Sequence, residues 1–181
     1  MYGWNGTILR VDLSKRKFKK EPLDARAAER FLGGRGLGSW ILYNEADPKA
    51  DALGPANKLI FAPGPLSGTN APSAGHYNVV TKSPLTGGIA ASSSGGIFGP
   101  MLKYAGYDMI LFEGRANKPV YLWVNDERVE IRDAADLWGK TVYAATEAIR
   151  DATDEEASVA CIGPAGERMA LLANVINDFS R

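Results

Sequence analysis

Four clusters rich in glycine and proline, at residues 33–38, 63–75, 84–99 and 162–166, cut this sequence into short segments. Glycine and proline punctuate secondary structure, so short strands and short helices are expected between the clusters. Glycine has a second use. Without a Cβ it lets backbone approach a bulky ligand closely. Twenty glycines and ten prolines in 181 residues leave room for both uses.

Between the clusters the periodicity is legible. Residues 6–13 alternate as a strand, and residues 16–22 read as its hairpin partner. Asp24 is an N-cap for a helix over 25–32, which Gly33 and Gly34 close. A second helix is expected over 38–45, stopped by Asp47-Pro48. Strands are expected at 59–62, 77–81, 88–94, 109–113, 120–125, 128–132, 158–162 and 170–176, with helices at 98–104 and 141–152. Irregular insertion of helices among neighbouring hairpins predicts an α+β fold. Its sheets should be mainly antiparallel or mixed, with a few short helices. The final residues, Asn177 to Arg181, follow no helix or glycine-rich stop, and the end reads as cut rather than finished.

Charge and composition exclude several functions. Lys plus Arg and Asp plus Glu both number 21, so the basic excess of a nucleic-acid binder is missing. The densest basic run, Lys15-Arg16-Lys17 with Lys19-Lys20, reads as a solvated strand edge blunted by lysines. A contact with an acidic partner is the other use of such a run. No apolar stretch approaches the ~18 residues of a membrane span. Residues 1–6 lack the charged and apolar regions of a signal peptide. One cysteine, Cys161, cannot form an intrachain disulfide. Cytoplasmic residence without a membrane partner is the default expectation.

The chemistry-bearing residues are few. One Cys and one His (His76) cannot build a zinc or iron–sulfur site, which takes about three or four soft ligands. Any metal must come with a cofactor, with oxygen ligands or with another chain. Gly-x-Ser-x-Gly is absent, and His76 is the only ordinary base for a nucleophilic triad. Residues 33–38 do not match Gly-x-Gly-x-x-Gly in any register. Residues 94–99, Ser-Gly-Gly-Ile-Phe-Gly, match it except at Ser94, and Glu113 closes a strand 19 residues further on. That pattern is the best case for a nucleotide-binding enzyme. What remains are turns rich in Gly, Ser, Thr and Pro at 64–69, 71–76 and 92–96. They are either plain turns between short strands or a seat of N–H groups and hydroxyls for an anionic ligand.

The same turns carry a specific ordered series. It runs through Gly33-Gly34-Arg35-Gly36-Leu37, Gly64-Pro65-Leu66-Ser67-Gly68-Thr69 and the block from Tyr77 to Gly87. It continues through Ser94-Gly95-Gly96-x-Phe98-Gly99, Lys103 to Asp108, Ile162 to Glu167, and Asn177-Asp178. This series resembles the N-terminal domain of the tungsten-containing aldehyde:ferredoxin oxidoreductase family across essentially the whole chain.

The resemblance implies a tungstopterin-docking domain spanning 1–181, with two sheets related as similar halves under the cofactor. The iron–sulfur and substrate-channel domains would lie elsewhere in a longer chain. It implies a tungsten (or molybdenum) bis-pterin bridged by Mg2+, and a [4Fe-4S] cluster that this segment does not ligate. Aldehyde substrate and ferredoxin would be partners of the full-length enzyme. Among docking residues the family commonly has Arg at the position of His76, contacting a pterin phosphate. It often has Asn at the position of Ser93, a magnesium ligand, so Ser93 is the candidate metal residue here. Ser94, Gly95 and Gly96 complete that segment, and Arg181 aligns with an Arg of the next family block. No catalytic residue falls in the segment. A non-catalytic binding or assembly module of the same descent is the alternative reading. A domain built to sit under others should expose an apolar face, so a homo-oligomer is expected.

Overall fold

Residues 2–179 are described in the structure, a computed structural model. The chain opens with β1 (Thr7–Asp12) and β2 (Lys17–Pro22), an antiparallel hairpin. α1 (Ala25–Phe31) starts where expected. The Asp24 carboxylate accepts from the Arg26 and Ala27 N–H groups at 2.8 and 3.1 Å. α2 (Gly34–Glu45) follows almost at once. β3 (Lys58–Pro63), β4 (Tyr77–Lys82) and β5 (Ile89–Ser94) are successive antiparallel neighbours, and α3 (Phe98–Tyr104) leads to β6 (Met109–Glu113). β7 (Val120–Asn125) and β8 (Arg128–Asp133) form a hairpin, followed by α4 (Val142–Ala152). β9 (Ala160–Cys161), α5 (Pro164–Glu167) and β10 (Ile176–Asn177) close the described chain.

The large sheet has the order β2-β1-β6-β3-β4-β5, with β1 and β6 parallel and the other pairs antiparallel. The α+β class and the mixed sheet are as the sequence indicates. Among the described residues the strands divide six, two and two. The expected strands at 158–162 and 170–176 shrink to the two-residue β9 and β10. Leu171 and Leu172 lie exposed, so that apolar run has no strand partner or buried face to hold it extended. None of the described helices is long and apolar enough to cross a membrane.

Strand alternation sorts the core into two layers. Ile8, Ile60, Ala62, Val80, Met109 and Leu111 face α1 and α2. Leu9, Val11, Phe61, Tyr77 and Ile110 face α3 and the β7–β8 hairpin. The second helix begins four residues earlier than its apolar pattern indicated. Three glycines in its first five residues, Gly34, Gly36 and Gly38, are poor helix formers, but close approach to neighbours requires them. A Cβ on Gly36 would stand 2.5 Å from the Phe31 carbonyl oxygen, and one on Gly38 2.9 Å from Val80 Cγ2.

The N-terminal segment is tied down by a buried ion pair. Asp108, at the entry to β6, accepts from the N–H groups of Asn5 (3.0 Å), Gly6 (2.6 Å) and Thr7 (3.2 Å) and pairs with Lys103. The two side chains are only 3% and 9% exposed, so water screens the pair little. Lys103 also donates to the Gly3 carbonyl at 3.0 Å. Beyond it the Trp4 indole N–H donates to the Leu32 carbonyl at 2.8 Å. The pinned segment therefore braces the junction between α1 and α2.

Asp108→Ala would strand the Lys103 charge and three N–H groups. Urea unfolding should show a loss of about 3–5 kcal/mol. A loss below about 1 kcal/mol, the level of an ordinary surface change, would mean that other contacts hold this segment.

Candidate functional site

A cleft of about 470 Å³ opens at one end of the large sheet, on its helical face. Three elements meet there. The first turn of α2 supplies Gly33 to Gly36, the β3–β4 connection supplies Gly64, Pro65 and His76, and the strands supply Asn78 and Ser93. Buried Ser67 holds the connection in shape. Its hydroxyl accepts from the Gly64 N–H at 3.1 Å and donates to the His76 carbonyl at 3.0 Å.

The α2 turn is a donor surface. The first N–H groups of a helix have no partner within it. Arg35 N–H finds one in Asn78 Oδ1 at 2.7 Å. The N–H groups of Gly34 and Gly36 take no acceptor among the described residues. Gly34 has φ +50° and already lies against Asn78 Oδ1, which explains glycine there. The exposed Arg35 side chain and His76 add the cationic or donor groups, and no acidic side chain lines the cleft.

The sequence candidates separate by strand register. Ser93 is the cross-strand partner of Asn78, so it shares the helical face and lines the cleft. Ser94 partners Tyr77 and points to the opposite face. Its hydroxyl donates to Asn177 Oδ1 at 2.7 Å. Asn177 is fully buried, also accepts from Tyr77 Oη–H at 3.1 Å, and donates to the Gly95 carbonyl at 3.1 Å. Burial pushes the Tyr77 phenol up, which keeps it a neutral donor. Ser94 thus positions the loop rather than lining the cleft. His76 is exposed, with Nδ1 3.4 Å from the Ser73 carbonyl oxygen, and its Nε2 lies 3.9 Å from the place of a Cβ on Gly95. The Gly96 carbonyl packs under Gly75. Arg181 lies outside the described residues.

Sequence reasoning passed over three residues of this arrangement. Arg35, Asn78 and Asn177 all stand in the quoted motifs, but none carries obvious chemistry. An asparagine in mid-strand is a weak signal, since strands disfavour it unless its amide has partners. The nucleotide-binding reading of residues 94–99 does not hold. That motif needs a buried parallel strand feeding a helix, and β5 is an antiparallel edge strand.

Metal chemistry by side chains alone is not supported among the described residues, where no group of three His, Cys, Asp or Glu converges. Burial pushes the Cys161 thiol up, so it is no activated ligand. A larger cavity, about 860 Å³, lies on the other face of the sheet. Its walls include Phe61, Phe112, Leu122, Trp138 and Ile149, and none of the candidate residues among those described lines it. The donor-lined cleft fits an anion, and Gly95 beside His76 leaves open the space a side chain would fill.

Two valine substitutions separate packing from ligand space. Gly36→Val must displace the Phe31 backbone and should cost about 3 kcal/mol or more. Gly95→Val meets nothing closer than 3.9 Å, and should change stability by less than about 1 kcal/mol. Thermal unfolding measures both, and equal losses would contradict the distinction.

Comparison with known proteins matches residues 8–181 to the family described as "Aldehyde ferredoxin oxidoreductase, N-terminal domain". The tungsten-containing aldehyde ferredoxin oxidoreductase of Pyrococcus furiosus is 51% identical over 182 residues, covering 100% of this chain and 30% of that protein. The enzyme of the same name from Thermococcus kodakarensis shows 51% identity with the same coverage. A solved structure is also similar, the active site complex BamBC of benzoyl coenzyme A reductase with 1,5-dienoyl-CoA. It aligns with 97% of this chain and 27% of its own at a TM-score of 0.94 and 41% identity. The chain spans 30% of the length of the curated relatives named here.

Proposed function

This chain belongs to the aldehyde ferredoxin oxidoreductase family, and from that premise we propose that residues 1–181 are the cofactor-docking domain of a longer oxidoreductase. The whole enzyme would convert an aldehyde and water into a carboxylic acid, releasing two electrons and two protons, with ferredoxin as electron acceptor. The observation that carries this reading is the acid-free, donor-lined cleft formed by α2, His76 and Ser93. It would suit the phosphate end of a tungsten (or molybdenum) bis-pterin, with Mg2+. When bound, that cofactor supplies the redox chemistry.

The residues of this chain bind and orient. The free N–H groups of Gly34 and Gly36 with the Arg35 guanidinium would take phosphate oxygens, as helix N-termini do. His76 would add a further donor, and Gly95 would let the ligand lie against backbone. The single cysteine leaves the [4Fe-4S] cluster to the rest of the longer protein. The remaining domains would form the substrate channel, and the setting would be the cytoplasm. The names of the relatives span aldehyde oxidation and benzoyl coenzyme A reduction, so the substrate is set outside this segment.

Exposed Trp138, Tyr143, Met169, Leu171 and Leu172 favour association of this chain, with itself or with further domains. Small-angle scattering of the chain in dilute solution should show a species larger than the monomer, and a strict monomer would contradict self-association.

The docking reading is tested on the longer protein expressed with tungstate. Purified protein should contain tungsten and pterin, and Gly95→Val should lose both while remaining folded. A folded protein without either, or full loading of Gly95→Val, would reject docking here. The first outcome would favour a non-catalytic module.

A further inference from the structure

We infer that β2, at the opposite edge of the large sheet from β5, takes an extended acidic segment of another protein as an added strand. The argument begins with the basic run of residues 15–20, which forms the β1–β2 turn and most of β2. Among the described residues β2 pairs only with β1, so one row of its N–H and C=O groups is open. Five of its six residues are exposed.

The register divides its side chains between two faces. Lys17, Lys19 and Glu21 stand opposite Asp12, Arg10 and Ile8, on the helical side. Phe18 and Lys20 stand opposite Val11 and Leu9, on the side of the β7–β8 hairpin. Phe18 is 42% exposed there. An incoming strand with acidic and apolar residues in alternation would set carboxylates beside Lys17 and Lys19 and apolar side chains beside Phe18.

The positive charges are only partly engaged. Lys15, Lys19 and Lys20 pair with Asp12, Glu21 and Glu127, whereas Arg16 and Lys17 have no acidic partner among the described residues. The Lys15 and Lys19 side chains are 74% and 65% exposed, and pairs so exposed are weak. Glu21 keeps Arg10 at 2.8 Å when Lys19 turns to a new partner. Carboxylates arriving at this edge therefore gain ion pairs and strand no buried charge.

Charge also decides which strand fits. A second copy joined antiparallel between Phe18 and Lys19 would set Lys17 against Lys20 at both ends, and like charges directly opposite repel. The lysines thus guard the edge against self-pairing and at the same time select an acidic occupant. A nucleic-acid backbone is the poorer match. Glu21 and Glu127 interrupt the basic surface, and the chain carries as many acidic as basic residues. The two uses of the basic run, a blunted edge and a contact for an acidic partner, are served by the same side chains.

The test is a titration of the full, isotopically labelled chain with a short capped peptide of alternating glutamate and valine. Amide NMR signals of β2 should shift, and the N–H groups turned away from β1 should exchange with solvent more slowly. Lys17→Glu with Lys19→Glu should weaken binding roughly tenfold, as expected when two attractive pairs become repulsive, and should leave thermal unfolding nearly unchanged. Lys17→Arg with Lys19→Arg keeps both charges and should bind within about twofold. No shift at about millimolar peptide would overturn the inference. Equal binding of a peptide with lysine in place of glutamate would overturn it too. So would shifts without slowed exchange, which mean side-chain contact and no added strand. Tighter binding of a single-stranded DNA oligonucleotide than of the acidic peptide would make the surface a polyanion site instead. Tungsten and pterin content is untouched by any of these outcomes, so the docking reading stands or falls separately.

Discussion

The close approach of α2 to the sheet is the contact on which the rest of this structure depends. Gly36 and Gly38 let the helix settle where any side chain would collide with Phe31 or Val80. Once it is there, the Arg35 N–H meets the Asn78 amide, and the cleft has a floor of strand and a wall of helix N–H groups. The glycines that look like turn punctuation in the sequence therefore do two unlike jobs. Those of α2 permit packing. Gly95, with nothing of the protein closer than 3.9 Å to its missing Cβ, leaves space.

A chain of braces keeps this geometry in place. Asp108 and Lys103 anchor residues 3–7, Trp4 reaches from that segment to the Leu32 carbonyl, and Leu32 directly precedes the glycine turn. At the other end of α2, Arg10 binds Glu45 at 2.8 and 2.9 Å and Glu21 at 2.8 Å. The bond to Glu45 raises the pKa of Arg10. Opposite the helix, Asn177 holds Tyr77, Ser94 and the Gly95 carbonyl in one buried cluster. The cleft is thus a rigid feature built from sequence-distant parts, which is what preorganised binding of a charged ligand requires.

Much of the fold is legible in the sequence because strand alternation and one strong N-cap leave clear marks. The first eight strands, α3 and α4 lie within a residue or two of their patterns. The start of α2 does not, since tertiary packing overrides the low helix propensity of glycine. The small α5 and the shortened β9 and β10 are set by contacts beyond their own residues. For the site, the turns are legible, but their composition leaves open whether they are plain turns or a seat for an anion. Ser93 and Ser94 were not distinguishable, because only the pairing register tells which of two adjacent hydroxyls faces α2. Asn78 and Asn177 were silent for a related reason. Their importance lies in partners that are 43 residues away for Asn78 and 100 for Asn177.

The central claim is that the donor-lined cleft under α2, and not the apolar cavity on the other face of the sheet, is where the cofactor rests. Anomalous diffraction at the tungsten absorption edge, from crystals of the longer protein, tests it most directly. The account predicts a single strong peak per chain on the helical side of the large sheet, next to Gly34, His76 and Ser93. A peak on the β7–β8 side, or one remote from both α2 and β5, would contradict it.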